Sequence, residues 1–230
     1  MDTGILYIVA TPIGNLGDIT FRGVETLKKA DLIVCEDTRT TKRLLEQYGI
    51  PTPTVSFYKK VSGGGGVKPQ PKTEEIIREL KAGKNVAFVS DAGTPGISDP
   101  GNQLVEAAIA ENICVIPIPG ASSITSLISV SGIDMQKFVF MGFPPHKKGR
   151  ETFFKEVVAL SYPAVYLESP HRLIKNLELL KSLAPEKNII LGRELTKMFE
   201  EIVRGDADCV LNYFLENKDK VKGEIVVIAY

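Results

Sequence analysis

Short aliphatic and β-branched runs recur along the chain at 5–10, 31–35, 85–90, 114–117, 138–142, 164–168, 188–192 and 223–229. They lack polar alternation, the pattern of strands buried on both faces. Between several of them, segments 22–30, 40–48, 72–82, 102–111 and 171–183 place apolar residues at helical spacing. Strand and helix therefore alternate, which predicts an α/β fold. The pattern is interrupted at 131–136 by Gly132 and Asp134, ahead of a new strand and the Pro144-Pro145 turn, so a boundary between two domains, 1–134 and 135–230, is expected there. The stretch 61–71 holds four consecutive glycines, Gly63 to Gly66, then Pro69 and Pro71. Such a composition resists regular structure and predicts a mobile loop.

A chain of 230 residues with 43% hydrophobic content can bury one large core or two modest ones. Its 28 basic residues balance 28 acidic ones, so any contact with nucleic acid has to come from a local patch. Cys35, Cys114 and Cys209 lie far apart in apolar contexts and form no CxxC, so they read as reduced core residues, with neither a disulfide framework nor a zinc site suggested. The segment 1–10 has no basic n-region or cleavage site, and every apolar run is shorter than the roughly 20 residues of a membrane span. A cytoplasmic protein is expected.

The loops that follow the strands carry the candidate chemistry. The first strand runs into Ala10-Thr11-Pro12-Ile13-Gly14-Asn15-Leu16, a sharp turn at the strand's C-terminal end, where ligands gather in open α/β sheets. An ordinary strand-to-helix turn explains it equally well, and no GxGxxG is present to support a dinucleotide. The loop Ser90-Asp91-Ala92-Gly93-Thr94-Pro95-Gly96-Ile97-Ser98-Asp99-Pro100-Gly101 is more telling. Its glycines permit close backbone approach to a ligand, and Asp91 and Asp99 can accept from hydroxyl or amine donors, which suits a ligand with an amino acid group and a ribose. Turn chemistry alone has the same composition, although a loop this long is more often functional.

A third loop, Pro117-Ile118-Pro119-Gly120-Ala121-Ser122-Ser123, again joins strand to helix, and helix capping by itself accounts for both serines. A fourth, Glu36-Asp37-Thr38-Arg39-Thr40-Thr41-Lys42-Arg43, gathers carboxylates and cations after the second strand. A solvated helix start explains the polarity but not a carboxylate pair set against the sheet edge. In the second half, Tyr166-Leu167-Glu168-Ser169-Pro170-His171-Arg172 and Gly192-Arg193-Glu194-Leu195-Thr196-Lys197-Met198-Phe199-Glu200-Glu201 leave two further strands. With only His146 and His171 in the chain and no G-x-S-x-G, neither a histidine metal cage nor a serine hydrolase is indicated, and His171 reads as structural before it reads as a base.

Together these motifs resemble the tetrapyrrole methylase superfamily, through segments 7–18, 30–43, 86–101, 116–132, 138–144, 166–173 and 191–205 in order. The combination SDAGTPGISDPG, YLESPHR and RELTKMFEE is similar to the branch that methylates a ribose 2′-hydroxyl of small-subunit ribosomal RNA. The chain departs from that branch after Ser56-Phe57-Tyr58, where Lys59-Lys60-Val61-Ser62 and the glycine run replace a polar His/Asn/Glu-containing segment. Some members also carry a C-terminal module beyond the position of Tyr230.

The resemblance implies two α/β domains of the tetrapyrrole methylase fold with a cleft between them for S-adenosyl-L-methionine. Carried over residue by residue, it places the cofactor against Pro12, Asp91, Ala92, Thr94, Ser122, Ser123 and Leu167. It further implies a homodimer, with small-subunit (16S) ribosomal RNA or the 30S subunit as substrate, a cytidine 2′-oxygen as the acceptor, and no membrane. Asp37 and Glu36 are the candidates to take the ribose proton, with Arg39 gripping a phosphate, although a mechanism without a base stays open. Arg39, Lys42, Arg43, Lys59, Lys60, His146, Lys147, Lys148 and Arg150 form a candidate RNA-facing surface, against a reading as scattered solubilising charge. Two other functions share the cofactor site: C-methylation of a corrin precursor, and cofactor binding without catalysis.

Overall fold

The structure is a computed structural model in which residues 3–57 and 71–230 are described. The expected mobile loop, together with Lys59 and Lys60, falls outside them, apart from Pro71. The chain divides into two compact units after Ser122, ahead of the pattern break at 131–136.

In the first unit the order is β1 (Leu6–Val9), α1 (Phe21–Lys29), β2 (Leu32–Cys35), α2 (Thr38–Gln47), β3 (Thr54–Ser56), α3 (Pro71–Lys81), β4 (Val86–Val89), α4 (Gly101–Ala110) and β5 (Val115–Ile118). The strands form one sheet in the order β3-β2-β4-β1-β5, and every pairing is parallel. The run Val86-Ala87-Phe88-Val89 shows why the strands carry no polar alternation. Val86 and Phe88 join a cluster with Ile76, Leu80 and Leu104 of α3 and α4, whereas Ala87 and Val89 join Leu27 and Leu45 of α1 and α2. Successive side chains point to opposite faces, and helices cover both. Thr20 caps α1 by accepting from the Gly23 N–H at 3.0 Å, and Asp37 caps α2 by accepting from the Arg39 N–H at 2.9 Å.

The second unit contains α5 (Ser123–Ser129), β6 (Val139–Phe140), α6 (Arg150–Ala159), β7 (Ala164–Glu168), α7 (Leu173–Leu183), β8 (Asn188–Arg193), β9 (Glu201–Asp206), α8 (Ala207–Glu216) and β10 (Ile225–Ala229). Its sheet, β6-β7-β10-β8-β9, is parallel only between β6 and β7. One face packs Tyr166, Leu191 and Val227 against Phe154, Leu177 and Phe214 of α6, α7 and α8. The other face meets α5: a Cβ at Gly192 would stand 2.8 Å from Leu127 Cδ1, so glycine there lets helix and sheet close up.

Two strands, β3 and β9, go beyond the expected set, as do α6 and α8. Two of the three cysteines expected in the core lie outside it. Cys35 is buried in β2, but Cys114 on the turn into edge strand β5 and Cys209 in the first turn of α8 are exposed.

Candidate functional site

Because all strands of the first sheet are parallel, their C-terminal ends lie along one edge. The register pairs Val9 with both Val89 and Ile118, and Cys35 with both Val89 and Ser56. The loops beginning at Ala10, Glu36, Ser90 and Pro119 therefore leave the sheet side by side. This is the edge where open α/β sheets bind ligands.

Those loops are stitched to one another. Thr11 and Gly93 exchange backbone bonds, Thr11 N–H to Gly93 O at 3.0 Å and Gly93 N–H to Thr11 O at 3.1 Å. The Thr11 hydroxyl donates to Ser90 O at 3.1 Å, the Ser90 hydroxyl to Gly93 O at 3.0 Å, and the Thr94 hydroxyl to Ala121 O at 3.0 Å. Gly93 sits at φ +81°, and a Cβ there would approach Ile13 Cγ2 at 3.1 Å and Ala121 O at 3.5 Å; at Gly120 it would stand 2.9 Å from Ala10 Cβ. Gly101 is likewise closed in, by the Phe88 ring and Asp99. These glycines bring loop to loop or loop to core. Asp99 belongs to the same scaffold, since its two oxygens accept from the Gly96 N–H at 2.6 Å and the Gly101 N–H at 2.9 Å. Thr11 and Ser90 carry these bonds, although in the sequence each is only a small polar residue at a strand end.

Three carboxylates meet where the loops after β2 and β4 adjoin. Glu36 Oε1 accepts from the Asp91 N–H at 3.1 Å, and Asp91 Oδ1 accepts from the Asp37 N–H at 3.0 Å. Their electrostatics separate them. Burial pushes the Glu36 carboxyl above its ordinary value, the Asp91 N–H opposes this, and the charges of Asp91 and Asp99 add to the rise. Burial likewise raises Asp91. Asp37 goes the other way: the Arg39 guanidinium grips it through Nη2 at 2.7 Å and Nε at 3.1 Å and holds it at about 2.

Of the expected cofactor residues, Pro12 is buried beneath its loop while Asp91, Ala92 and Thr94 are exposed at the edge. A Cβ at Gly93 would lie 4.0 Å from Ser122 Cα, which places Ser122 beside that loop. Ser123 opens α5 and Leu167 is half-buried in β7, both in the second unit. Of the expected RNA-facing cations on α2, Arg39 is engaged by Asp37 and Lys42 by Glu46 at 3.5 Å, whereas Arg43 is exposed without an ion pair among the described residues. A groove of about 750 Å³ flanks this helix, floored by Leu45, Ile50, Pro51 and Pro53.

In the second unit Glu168 is 3% exposed, accepts from the Ser169 N–H and Asn176 Nδ2 at 2.6 Å each, and is raised by burial. His171 is exposed on the following turn. Arg193, 4% exposed, donates to Glu201 at 3.3 Å and to Phe199 O at 3.1 Å. It anchors a loop in which Glu194 and Thr196 have positive φ. Among the described residues no group of three or more His, Cys, Asp or Glu could hold a metal, and no helix is long and apolar enough to cross a membrane.

The sequence profile of the Tetrapyrrole (Corrin/Porphyrin) Methylases matches residues 5–210. The chain belongs to the tetrapyrrole methylases. Among its curated relatives, ribosomal RNA small subunit methyltransferase I of Leptospira biflexa serovar Patoc is 45% identical over 206 residues, 88% of this chain and 82% of the relative. The protein of the same name from Thermotoga maritima is 42% identical over 225 residues, 98% of this chain and 97% of the relative. The solved structure of diphthine synthase superposes with a TM-score of 0.74 at 14% identity, over 98% of this chain and 90% of that one. That likeness establishes the tetrapyrrole methylase fold, with its mixed α/β architecture and two sheets.

Proposed function

We propose that the chain transfers a methyl group from S-adenosyl-L-methionine to a ribose 2′-hydroxyl of small-subunit ribosomal RNA, with a cytidine as the acceptor nucleotide. The observation that carries this reading is the identity of 42–45%, over most of the chain, to relatives named for methylating this RNA. The 30S subunit is the partner expected to present the target, and the enzyme works in the cytoplasm as a homodimer.

The loop edge of the first unit fits such a cofactor. A sulfonium and an ammonium are cations and a ribose diol needs acceptors; Asp91 offers a carboxylate there and retains one oxygen that Asp37 does not engage. Pro12, Asp91, Ala92, Thr94 and Ser122 would hold it from this unit, and Ser123 and Leu167 are the contacts proposed from the other. When bound, the cofactor supplies an electrophilic methyl group. The chain's part is to position the ribose oxygen and receive its proton. Asp37, held at about 2 by Arg39, is a weak base committed to capping α2. Glu36, raised by burial, is the stronger base of the two. Asp91 fixes the corner by taking the Asp37 N–H while its own N–H holds Glu36.

The test is incubation with methyl-labelled cofactor and either 30S subunits or a corrin precursor. Label on one ribose of small-subunit RNA, at a linkage that resists alkaline cleavage, is the expected result. Label on the corrin precursor, or on a base, would overturn it.

A further inference from the structure

Resting on that functional reading, we infer that loop 143–150 of the second unit is the surface that docks single-stranded RNA, with Phe143 as a base-stacking platform and Lys147, Lys148 and Arg150 as phosphate contacts. The loop is built to hold a shape. It is bracketed by Gly142 at φ +69° and Gly149 at φ +88°. Both reverse the chain in a region closed to most side chains. Between them the Arg172 guanidinium donates through Nη1 to Pro144 O at 2.6 Å, so a residue of the segment after β7 pins the loop from inside.

Its chemistry differs from that of the other cationic surface. Lys147, Lys148 and Arg150 make no ion pair among the described residues, although the Arg150 charge reaches the buried Glu168, and the first acid that follows, Glu151, is engaged by Lys155 at 2.7 Å. On α2, Arg39 and Lys42 each already have a carboxylate, which leaves Arg43 as that helix's one expected RNA-facing cation without an ion pair among the described residues. A cation without an internal partner has no bond to give up when it meets a phosphate. Phe143, at the start of the loop, is 49% exposed. An apolar ring on a loop with unpaired cations matches a nucleic acid strand, which offers a base face and a phosphate at each step.

The loop also leaves the sheet at the right end. Strands β6 and β7 are parallel, and Leu167 N–H donates to Gly142 O at 2.9 Å. The segment bearing Phe143 therefore departs beside Leu167, the residue of this unit proposed to border the cofactor. A strand held by the loop would pass beside Leu167.

The experiment uses the full chain, binding to 30S subunits, methyl transfer to them, and calorimetry with S-adenosyl-L-methionine. For K147A/K148A/R150A, removal of three phosphate contacts should make the slope of log affinity against log salt shallower by about 2. Wild-type binding should then fall about 15- to 20-fold more than the variant's between about 50 and 200 mM salt. Phe143→Ala should weaken binding about fivefold or more with the salt slope intact, and Phe143→Trp should restore it. Cofactor affinity should remain that of the wild type throughout. Unchanged affinity and slope in the triple variant, or a slope lost instead in K42A/R43A, would overturn the proposal. So would dissociation of the protein into smaller species by K147A/K148A/R150A, which would make the loop an interface between copies. Failure of the wild-type protein to methylate 30S subunits is a separate result and would overturn the functional reading itself.

Discussion

Gly93 is the position where fold and site are most tightly joined, and Gly93→Ala is the sharpest perturbation of both. Its φ of +81° is a backbone state that costs an L-residue about 1–2 kcal/mol. The new Cβ would also stand 3.1 Å from Ile13 Cγ2, so Ile13, which is 5% exposed, has to yield a few tenths of an ångström inside a packed loop cluster. Overpacking of that kind adds about 1–2 kcal/mol. Gly49→Ala is the control, because Gly49 has a similar φ of +57° but nothing within 4 Å of an added Cβ. The expected loss of unfolding free energy is about 1–2 kcal/mol for Gly49→Ala and about 2–4 kcal/mol for Gly93→Ala. Denaturant unfolding measures both, and calorimetry with S-adenosyl-L-methionine measures the consequence at the site. Gly93→Ala should weaken cofactor binding severalfold, since the bonds from Thr11 and Ser90 to Gly93 O set the spacing of the loops after β1 and β4. Equal stability losses in the two variants, with unchanged cofactor affinity in both, would refute the argument that loop-to-loop contact at Gly93 shapes the site.

Glu36→Gln should lower kcat by about 10²- to 10⁴-fold while cofactor affinity changes little. In the wild type kcat should rise with pH through a value higher than that of an unperturbed glutamate, because Glu36 is raised and serves as a base only when ionised; an unaltered pH profile in Glu36→Gln would exclude that role. The Asp37–Arg39 pair contributes stability that is present above the unfolded carboxyl's value of about 4 and is lost as pH falls toward the folded value of about 2. Acid unfolding of Arg39→Ala should accordingly show a flatter limb across that window than the wild type. Arg193→Met removes a buried cation and its bond to Phe199 O, and should cost about 3 kcal/mol because Glu201 keeps Lys220 and Tyr213 as partners. Trypsin cleavage after Lys197 should accelerate in the same variant, and an unchanged cleavage rate would show that Arg193 does not hold the loop.

Eight of the ten strands coincide with apolar runs, because a strand buried on both faces is written locally, in which residues are apolar and where Gly and Pro interrupt them. β3 is an edge strand of three residues, and β9 is half-buried with Glu201 and Asp206 at its ends, so pairing with a neighbour and not composition defines each. α6 buries Phe153, Phe154 and Val157 from a segment that mixes charged and apolar residues around the helix, and packing against β7 and α7 selects that face. The loops that carry the chemistry were legible as positions, since they follow strands whose order of ends a parallel sheet fixes. What each side chain does there was not. Asp37, Asp91 and Asp99 look alike in the sequence, yet one is gripped by Arg39, one holds a backbone N–H 54 residues away, and one staples its own loop. Lys42 and Lys147 are equally indistinguishable until the first is seen to face Glu46 and the second no acid at all among the described residues. Burial patterns repeat with the period of the local backbone and can be read along the chain. Hydrogen-bond and ion-pair partners are chosen through space, between loops brought side by side by strand register, and only the tertiary structure decides them.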